Sequence, residues 1–434
     1  MTFGAVSGYS VKKLMSVAVA ATVVAIGLSG CSSAASSSSE QSNAKVALTF
    51  WHGYTEADGK VLDTIVKDFN ASQKNITIST QTKTWAVIDD TLLPALSSKS
   101  GPDIVAMTSD RLPVYAQKKA LVDLDSFYAE SSSNTSSLKS EAVGMETVNG
   151  KKYGVPSGFV PLSVIYNKTL FAQAGIATFP TTWSEWVADA KKLTIDSSGS
   201  GTPTQYGLAL PDHATVGNGI WPSLFEGNGG SITNANGTKA TIASKANVDT
   251  LTYWAKAIQK DKISPTGLDG IAADKLFTAG KTAMEVGGPW MASVATAANI
   301  NYGLAAIPAG PKAQSASAIG ISLAVTAQTD PVKQQAAKKF LAYFNMKTTA
   351  IKWALGSGWP PLRTDISAGD VSANATVATL TQIAPNTVAL LPGVVNSTGV
   401  LTAIDTATQK AMAGGDPQKL LDDAQSSIQQ ALKG

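Results

Sequence analysis

The sequence has a single cysteine in 434 residues, Cys31. Without a second cysteine the chain can form no internal disulfide, and a site built from several thiolates is excluded. Histidine is almost as scarce, because His52 and His213 are the only two. Two histidines so far apart do not indicate a zinc cluster. We therefore expect neither a disulfide framework nor a bound metal.

Signals for catalysis and for polyanion binding are also few. Arg111 and Arg363 are the only arginines, and once Lys12 and Lys13 are set aside, 32 basic residues face 31 acidic ones. This balance does not favour nucleic acid as a partner. No G-x-S-x-G motif occurs, and the apparent phosphate loop at Gly280-Lys281-Thr282 lacks its first glycine. We predict no enzyme and no cofactor, although the many carboxylates leave an exported glycoside hydrolase as an alternative.

The amino-terminal segment has the pattern of an export signal. Lys12 and Lys13 precede fifteen largely apolar residues, 14–28. This run is shorter than the about 20 residues of a membrane-spanning helix and suits a signal peptide. The order Leu28-Ser29-Gly30-Cys31 resembles the lipobox of bacterial lipoproteins, which implies a lipid on Cys31 and cleavage before it. The alternative is an ordinary signal peptide with an incidental cysteine.

These features predict the arrangement of the first 44 residues. Residues 1–30 are interpreted as a lipoprotein signal peptide, and residues 31–44 as the lipidated cysteine followed by a flexible serine-rich tether. The lipid at Cys31 would hold the protein on the extracytoplasmic face of the cell membrane. The remaining 390 residues exceed what one core usually holds, so two domains are expected.

Strand-like and helix-like segments alternate from residue 45 onward. The order β-α-β-α-β predicts an α/β fold with a parallel sheet flanked by helices. The predicted strands are 45–51, 75–81, 103–107, 163–167, 206–210, 282–288 and 301–309. Thr55 with Asp58, and Thr182 with Glu185, have the spacing of capping boxes at helix starts.

Tryptophan is the most informative residue type. Those in helical segments are predicted to pack in the core, namely Trp183, Trp186, Trp254 and Trp353. Those at strand ends or in Gly/Pro-rich segments are candidates for binding, namely Trp51, Trp85, Trp221, Trp290 and Trp359. A sugar ring has an apolar face that suits a flat aromatic ring and a hydroxyl rim that suits planar charged groups. Asp110 and Arg111 could supply those groups, or could be a helix cap and a surface charge.

Three blocks resemble a known family. They are GPDIVAMTSDRLPVYAQKKALVDLD (101–125), YGVPSGFVPLSVIYNK (153–168) and FTAGKTAMEVGGPWMASVATAANINYGLAAIPAGP (277–311). In this order they resemble extracellular solute-binding proteins of family 1, the receptors of ABC sugar importers, to which maltose-binding protein belongs. The resemblance extends from about residue 45 to the carboxyl terminus. It implies a monomeric receptor that closes on a small carbohydrate and delivers it to the transmembrane subunits of a cognate ABC permease.

The resemblance also implies a two-lobed periplasmic-binding-protein fold, in which each lobe is a sheet flanked by helices. The first lobe is expected to comprise residues 45–155 and 310–355, and the second lobe residues 156–309 and 356–434. Hinge crossings between the lobes are expected near Pro156, near residues 308–311 and near Trp359.

Particular binding residues follow from the resemblance as well. It implies that Asp110 and Arg111 bind sugar hydroxyls and that Trp290 stacks on a sugar ring. The full predicted set is Trp51, His52, Tyr54, Trp85, Thr108, Asp110, Arg111, Phe159, Trp221, Trp290 and Trp359. Met107 and Val160 stand where maltose-binding protein has a stacking tryptophan and a binding glutamate, which argues against maltodextrin. A receptor for a non-sugar ligand such as a glycerophosphodiester is an alternative.

Overall fold

The computed structural model describes residues 45–213, 217–234, 237–383 and 387–433. The predicted signal peptide, the tether and Cys31 lie outside these ranges. No helix in the described ranges combines the length and the apolar character needed to cross a bilayer.

The strands are β1 (Val46–His52), β2 (Ile76–Thr82), β3 (Ile104–Thr108), β4 (Thr147–Val148), β5 (Lys151–Lys152), β6 (Val155–Pro161), β7 (Ser163–Asn167), β8 (Met284–Gly287), β9 (Tyr302–Ala306), β10 (Ala316–Val325) and β11 (Thr387–Ala389). The helices are α1 (Ala57–Ser72), α2 (Trp85–Ser97), α3 (Leu112–Gln117), α4 (Asp125–Ala129), α5 (Ser140–Met145), α6 (Lys168–Gln173), α7 (Trp183–Leu193), α8 (Gly217–Gly227), α9 (Lys245–Asp261), α10 (Gly270–Thr278), α11 (Trp290–Ala297), α12 (Pro331–Phe344), α13 (Lys347–Ser357), α14 (Ala375–Ile383), α15 (Ser397–Met412) and α16 (Pro417–Ala431).

The larger sheet has the strand order β11-β10-β3-β1-β2, with β6 paired to the other side of β10. Strand β1 is parallel to β2 and β3, as predicted, with Phe50 opposite Ile104. Strand β10 was not predicted and runs antiparallel to β3 and β6. Its direction has a topological reason: Ala316 at the start of β10 packs in the core that contains Trp186 and Trp254, and it lies at the edge of the sheet where β3 ends. A strand that enters the sheet from that edge must run opposite to β3.

A second sheet of three strands has the order β8-β7-β9, and β7 is antiparallel to both neighbours. The predicted strand at 206–210 is wrong in detail, because these residues form only isolated bridges, from Tyr206 to Thr282 and from Ala209 to Glu285. They reach the edge of β8 without adding a continuous strand. Strand β8 is nevertheless buried along its whole length.

Two separate hydrophobic cores accompany the two sheets. We call first lobe the residues around a core that includes Phe50, Leu62, Leu323, Phe340 and Trp359. We call second lobe the residues around a core that includes Trp186, Trp221, Trp254, Val286 and Ile404. The four helical tryptophans predicted to be core residues are each at most 5% exposed, which confirms that prediction.

The predicted domain boundaries stay a prediction, and the packing adds observations to them. The second core begins at Leu162, directly after β6, and Ala316 at the start of β10 still belongs to it. Trp359 and Leu380 pack in the first core, whereas the prediction assigned residues 356–434 to the second lobe. The buried side chains therefore indicate that the chain passes from the first core to the second for the last time after Leu380.

Helix starts show which local predictions succeed. Thr182 and Glu185 form the predicted capping box at α7, with the Thr182 hydroxyl accepting from the Glu185 amide at 3.3 Å. The capping box predicted from Thr55 and Asp58 is wrong, because α1 has Glu56 at its N-cap and no side-chain capping bond. The Asp58 carboxylate instead lies 3.5 Å from the indole nitrogen of Trp359.

Candidate functional site

An aromatic cluster lies at the carboxyl end of β1. Tyr54 is 2% exposed, and its hydroxyl lies 2.9 Å from the Ser157 hydroxyl of β6. Its ring meets the rings of Trp85, Trp353 and Trp359 edge to face, at centroid distances of 5.2, 5.1 and 6.3 Å. Burial raises the pKa of Tyr54 well above its usual value, so its hydroxyl stays protonated. Tyr54 thus fixes the tryptophans around it.

Trp85 is half-buried and begins α2. A Cβ atom on Gly53 would lie 2.1 Å from Cδ2 of Trp85, so the indole rests directly on the backbone at the end of β1. Only glycine allows this close approach. The Thr84 hydroxyl caps α2 by accepting from the Val87 amide at 3.4 Å, which fixes the helix start.

Asp58 lies beside this cluster, in the first turn of α1. It accepts a hydrogen bond from the Gly59 amide at 2.8 Å and contacts the Trp359 indole nitrogen. Burial raises the pKa of Asp58, although these hydrogen bonds oppose the rise. The Asp58 carboxyl group therefore lies at the edge of the aromatic cluster.

A group of charged side chains joins α2 to the loop before α3. The Arg111 Nε atom lies 3.4 Å from a carboxylate oxygen of Asp110 and 3.4 Å from one of Asp89. Asp110 is not the helix cap, since α3 has Arg111 at its N-cap without a side-chain capping bond. Burial raises the pKa of Asp89 to about 6, although Arg111 opposes the rise. One guanidinium thus organises two carboxylates.

A second half-buried indole, that of Trp290, comes from the other lobe. A Cβ atom on Gly288 would lie 2.0 Å from Cζ3 of Trp290, so this ring also rests on glycine backbone. Burial raises the pKa of Asp274 in α10, and the nearby side chains of Trp290 and of the buried Glu285 of β8 oppose the rise.

Several contacts bring the two lobes together at this place. The Ser397 hydroxyl at the start of α15 donates to the Asp110 carbonyl oxygen at 2.6 Å. A Cβ atom on Gly358 would lie 3.8 Å from the Pro289 carbonyl oxygen. Burial raises the pKa of Asp274, and the negative charge of Glu56, just before α1, adds slightly to the rise, so the two carboxylates lie within electrostatic range of each other. Residues from both lobes therefore border one interlobe region, which we call the cleft.

Two predicted residues occupy other surroundings. Trp221 was expected in a loop, but it lies in α8, is fully buried and donates its indole N–H to the Pro211 carbonyl oxygen at 3.2 Å. Its place in the binding set is thus wrong, because its ring is core. His52 is also fully buried, between the rings of Phe50 and Tyr54, and burial lowers its pKa. His52 therefore packs against the aromatic cluster on its buried side and does not line the cleft.

Trp51 is 9% exposed, with the Lys83 ammonium 4.3 Å from its ring centroid. Phe159 packs in a small cluster with Met145 and Leu362. Thr108 is half-buried at the end of β3, next to the Asp110 loop. These three side chains lie near the cleft edge of the first sheet, and only Thr108 is substantially accessible.

Four carboxyl or hydroxyl residues of the cleft were missed. Asp58 was interpreted as a capping residue, and Asp89 sits one helical turn after Trp85, a spacing that could have identified it. Asp274 and Ser397 had no local signal, because each reaches the cleft through tertiary packing. Across the described ranges, no group of three or more His, Cys, Asp or Glu side chains is arranged to hold a metal ion.

Comparisons with known proteins agree with this architecture. The sequence profile of the family described as bacterial extracellular solute-binding protein matches residues 64–379. The chain is 30% identical over 292 residues, 64% of each chain, to the diacetylchitobiose binding protein DasA of Streptomyces coelicolor. It is 28% identical over 265 residues, 57% of each chain, to a maltooligosaccharide ABC transporter solute-binding lipoprotein of Streptococcus pneumoniae.

The fold has a near match among solved structures. An ABC substrate-binding protein of Listeria monocytogenes, in complex with cycloalternan, superposes with a TM-score of 0.80 at 23% identity. The match covers 90% of this chain and 99% of the other. The predicted two-lobed α/β fold is thereby confirmed.

Proposed function

The chain belongs to the bacterial extracellular solute-binding proteins, and we propose that it is the receptor of an ABC importer that binds a sugar or oligosaccharide in the cleft. The observation that supports this most is the pairing of exposed indole surface with carboxylates from both lobes. The indoles of Trp85 and Trp290 are half-buried, and part of each ring rests on glycine backbone. Such rings can stack on the apolar face of a pyranose.

The polar groups of the cleft suit the hydroxyl rim of the same ligand. Carboxylates accept hydrogen bonds from hydroxyls, and Asp58, Asp89 and Asp110 line the first-lobe side. Arg111 holds two of these carboxylates in place and has further N–H groups to donate. Ligand contacts from both lobes would favour the closed arrangement over an open one, which is how a receptor signals that it is loaded.

The charge of the cleft argues against a phosphodiester ligand. Arg111 already pairs with two carboxylates. A phosphate would meet that neutralised cation and several further carboxylates, so repulsion would outweigh attraction. A glycoside hydrolase is disfavoured because the matched relatives are named as binding proteins.

Lipid anchoring and delivery to a permease complete the proposal. Cys31 follows Leu28-Ser29-Gly30, and the serine-rich segment after it provides a tether. One relative is named as a lipoprotein of an ABC transporter. A receptor held at the membrane surface meets its permease at high effective concentration.

The proposal is tested on the exported protein with Cys31→Ser, which removes the proposed site of the lipid. Thermal shift and calorimetry should be run against diacetylchitobiose, maltotriose, mannobiose and glucose, with glycerophosphocholine as the non-sugar probe. Stabilisation by at least one sugar, without turnover of labelled oligosaccharide, supports a sugar receptor. Binding of glycerophosphocholine alone would show that the ligand class is wrong, and turnover would show that the protein is an enzyme.

A further inference from the structure

Glu146 is a fully buried acid of the first lobe that directly follows α5. Its Oε1 atom accepts a hydrogen bond from the Ser109 hydroxyl at 3.3 Å, and the Ser109 hydroxyl oxygen lies 2.8 Å from that of Ser322 in β10. Because Ser109 donates its one hydroxyl proton to the acid, Ser322 is the donor in the bond between the two serines. The hydrogen bonds therefore run in one direction, from β10 through Ser109 to Glu146.

Backbone from two further elements encloses this pair of side chains. A Cβ atom on Gly154, just before β6, would lie 2.1 Å from Oε2 of Glu146, and a Cβ atom on Gly320 of β10 would lie 2.8 Å from the Ser109 hydroxyl oxygen. The Ser109 amide also donates to the Gly320 carbonyl oxygen at 2.9 Å. The end of α5, the approach to β6 and the middle of β10 therefore all contact Ser109 or Glu146.

Ser109 belongs to the turn that presents two of the predicted binding residues. Asp110 and Arg111 follow it directly, and the Arg111 amide donates to the Thr108 carbonyl oxygen at 2.9 Å, which closes residues 108–111 into a tight turn. The side chain of Arg111 pairs with Asp110 and Asp89. One residue of the turn is thus anchored among buried groups, and the next two border the cleft.

We infer that Glu146 is a positioning residue, which holds this turn through Ser109 and thereby places Asp110 and Arg111 at the cleft. This inference rests on the proposed function, because it assigns Asp110 and Arg111 to the ligand site. A neutral carboxyl group suits the position, since it accepts from Ser109 without burying a charge. Loss of the proton would bury a charge whose Oε2 atom has no hydrogen-bond partner in the described ranges. Strands β6 and β10 are held by their ladders, so the turn is the part that moves in response.

The electrostatics of the surroundings agree with a neutral acid. Burial raises the pKa of Glu146 to about 8, and the hydrogen bonds from Ser322 and Ser109 oppose the rise. Strands β3, β6 and β10 contribute no titratable residue. The other elements and loops packed nearby contribute Tyr54, Asp110, Arg111, Tyr115, Asp125, Tyr128, Glu141, Lys151, Lys152 and Tyr153. Burial raises the pKa of Tyr54 and of Tyr128, and the charge of Glu146 adds to both rises, so these two hydroxyls stay protonated while Glu146 titrates.

The test uses the Nε–H signal of Arg111 in the ¹⁵N-labelled exported protein with Cys31→Ser, without ligand. The chain has only two arginines, so the signal that is missing from Arg111→Lys belongs to Arg111. The signal of Arg363 is an internal reference, because the Arg363 Nε atom donates to Asp365 at 2.8 Å and does not border the cleft.

Two carboxyl groups should shift the Arg111 signal in separate steps as the pH increases. Burial raises the pKa of Asp89 to about 6 and that of Glu146 to about 8, so a lower step and an upper step are expected. Glu146→Gln keeps an acceptor for Ser109 and should remove only the upper step, whereas Asp89→Asn should remove only the lower step. Ser109→Ala breaks the link to the turn and should displace the Arg111 signal at every pH.

A binding measurement adds the functional consequence. With the tightest sugar of the panel as probe, the affinity of the wild type should fall by about 2- to 10-fold as the pH increases through the upper step, and Ser109→Ala should weaken binding by a similar factor at neutral pH. Glu146→Gln should lose this pH dependence.

Each of these variants has a matched control. Glu226→Gln changes a partly buried acid of the second lobe that accepts from Ser315, and it should keep both steps of the Arg111 signal. Ser133→Ala changes a buried serine of the first lobe whose hydroxyl oxygen lies 2.8 Å from that of Thr135. It should lower the melting temperature and leave the Arg111 signal and the Kd unchanged.

Either of two results would overturn the inference. One is an upper step of the Arg111 signal that persists in Glu146→Gln as in the wild type. The other is an Arg111 signal that Ser109→Ala leaves in place. Both are measured without ligand, so a panel in which no sugar binds would refute the proposed function, while the Arg111 signal would still decide the positioning role.

Discussion

The Ser397 hydroxyl donates a hydrogen bond of 2.6 Å to the carbonyl oxygen of Asp110, which is 287 residues earlier in the chain. Ser397 begins a helix of the second lobe, and Asp110 follows a strand of the first. The bond therefore closes the cleft at the loop where the predicted acid and arginine lie. Because it joins the lobes, it can exist only while they are close together.

Ser397→Ala should weaken ligand binding by about 0.5–1.5 kcal/mol, or about 2- to 12-fold in Kd, because it removes one bond that favours closure. The helix itself should stay capped, since the Asn396 side chain accepts from the Gly399 amide at 3.0 Å. Calorimetry on the folded variant measures the change. Ser397→Thr keeps the hydroxyl and should bind like the wild type; equal affinity of the alanine variant and the wild type would contradict a role in closure.

Asp110→Asn should weaken sugar binding by about 1.5–3 kcal/mol, because a charged acceptor is lost. Its melting temperature should change little, since Asp110 does not cap a helix. Arg111→Lys should weaken binding too, as an ammonium cannot reproduce a planar fork toward two carboxylates. Asp123→Asn is the control, because Asp123 pairs with Lys151 elsewhere on the first lobe. If Asp110→Asn lowers stability and leaves affinity intact, the pair is structural.

Trp290→Ala should reduce affinity by about 1–3 kcal/mol, the contribution of an aromatic ring that loses its stacking partner and buried area. Trp221→Phe provides the comparison, since Trp221 is fully buried in the second core. That variant should lower the melting temperature and leave affinity near the wild-type value. Calorimetry and thermal melts on both variants distinguish the roles. An unchanged Kd for Trp290→Ala would place Trp290 outside the site.

Glu146 makes stability depend on pH. It is fully buried, accepts from Ser109 at 3.3 Å, and burial raises its pKa to about 8. The folded state thus binds this proton more tightly than the unfolded state, in which the pKa is about 4.3. Stability is therefore lost as the pH rises from about 4.3 to about 8, by an amount on the order of 3–5 kcal/mol.

Glu146→Gln should remove this loss, because glutamine can still accept from Ser109 and has no charge to bury. Denaturant unfolding at acidic, neutral and alkaline pH measures the free energy of unfolding. The value for the variant, relative to that of the wild type, should increase with pH. Glu141→Gln, an exposed position in the helix that Glu146 directly follows, should behave like the wild type. A Glu146→Gln variant whose stability falls with pH as steeply as the wild type would mean that another group causes the dependence.

Cys31→Ser should release the protein from the membrane fraction without changing its melting temperature, because Cys31 precedes the described fold, which begins at Lys45. Fractionation of cells and incorporation of labelled palmitate measure the anchor. Ser32→Ala should leave both unchanged. Retention of the cysteine variant at the membrane would mean that another segment holds it there.

Much of the architecture follows from local pattern. The alternation of apolar and polar residues in β2 and the capping box of Thr182 and Glu185 each depend on groups a few residues apart. Trp85 and Trp290 are accessible candidates that the sequence indicates, because each follows a strand or occupies a glycine-rich segment. Trp221 shows the limit of that rule, since its Gly/Pro-rich surroundings form a helix whose tryptophan is core.

What the sequence alone determined is therefore the order of elements and most of the strands, because each is set by hydrogen bonds and burial within one segment. The tertiary structure decided which of those residues meet. Asp58 does not cap a helix as predicted but contacts the indole of Trp359, 301 residues away. Ser397 meets Asp110 only because the two cores pack side by side. Such contacts depend on how separate elements are packed, and no short window of sequence contains both partners.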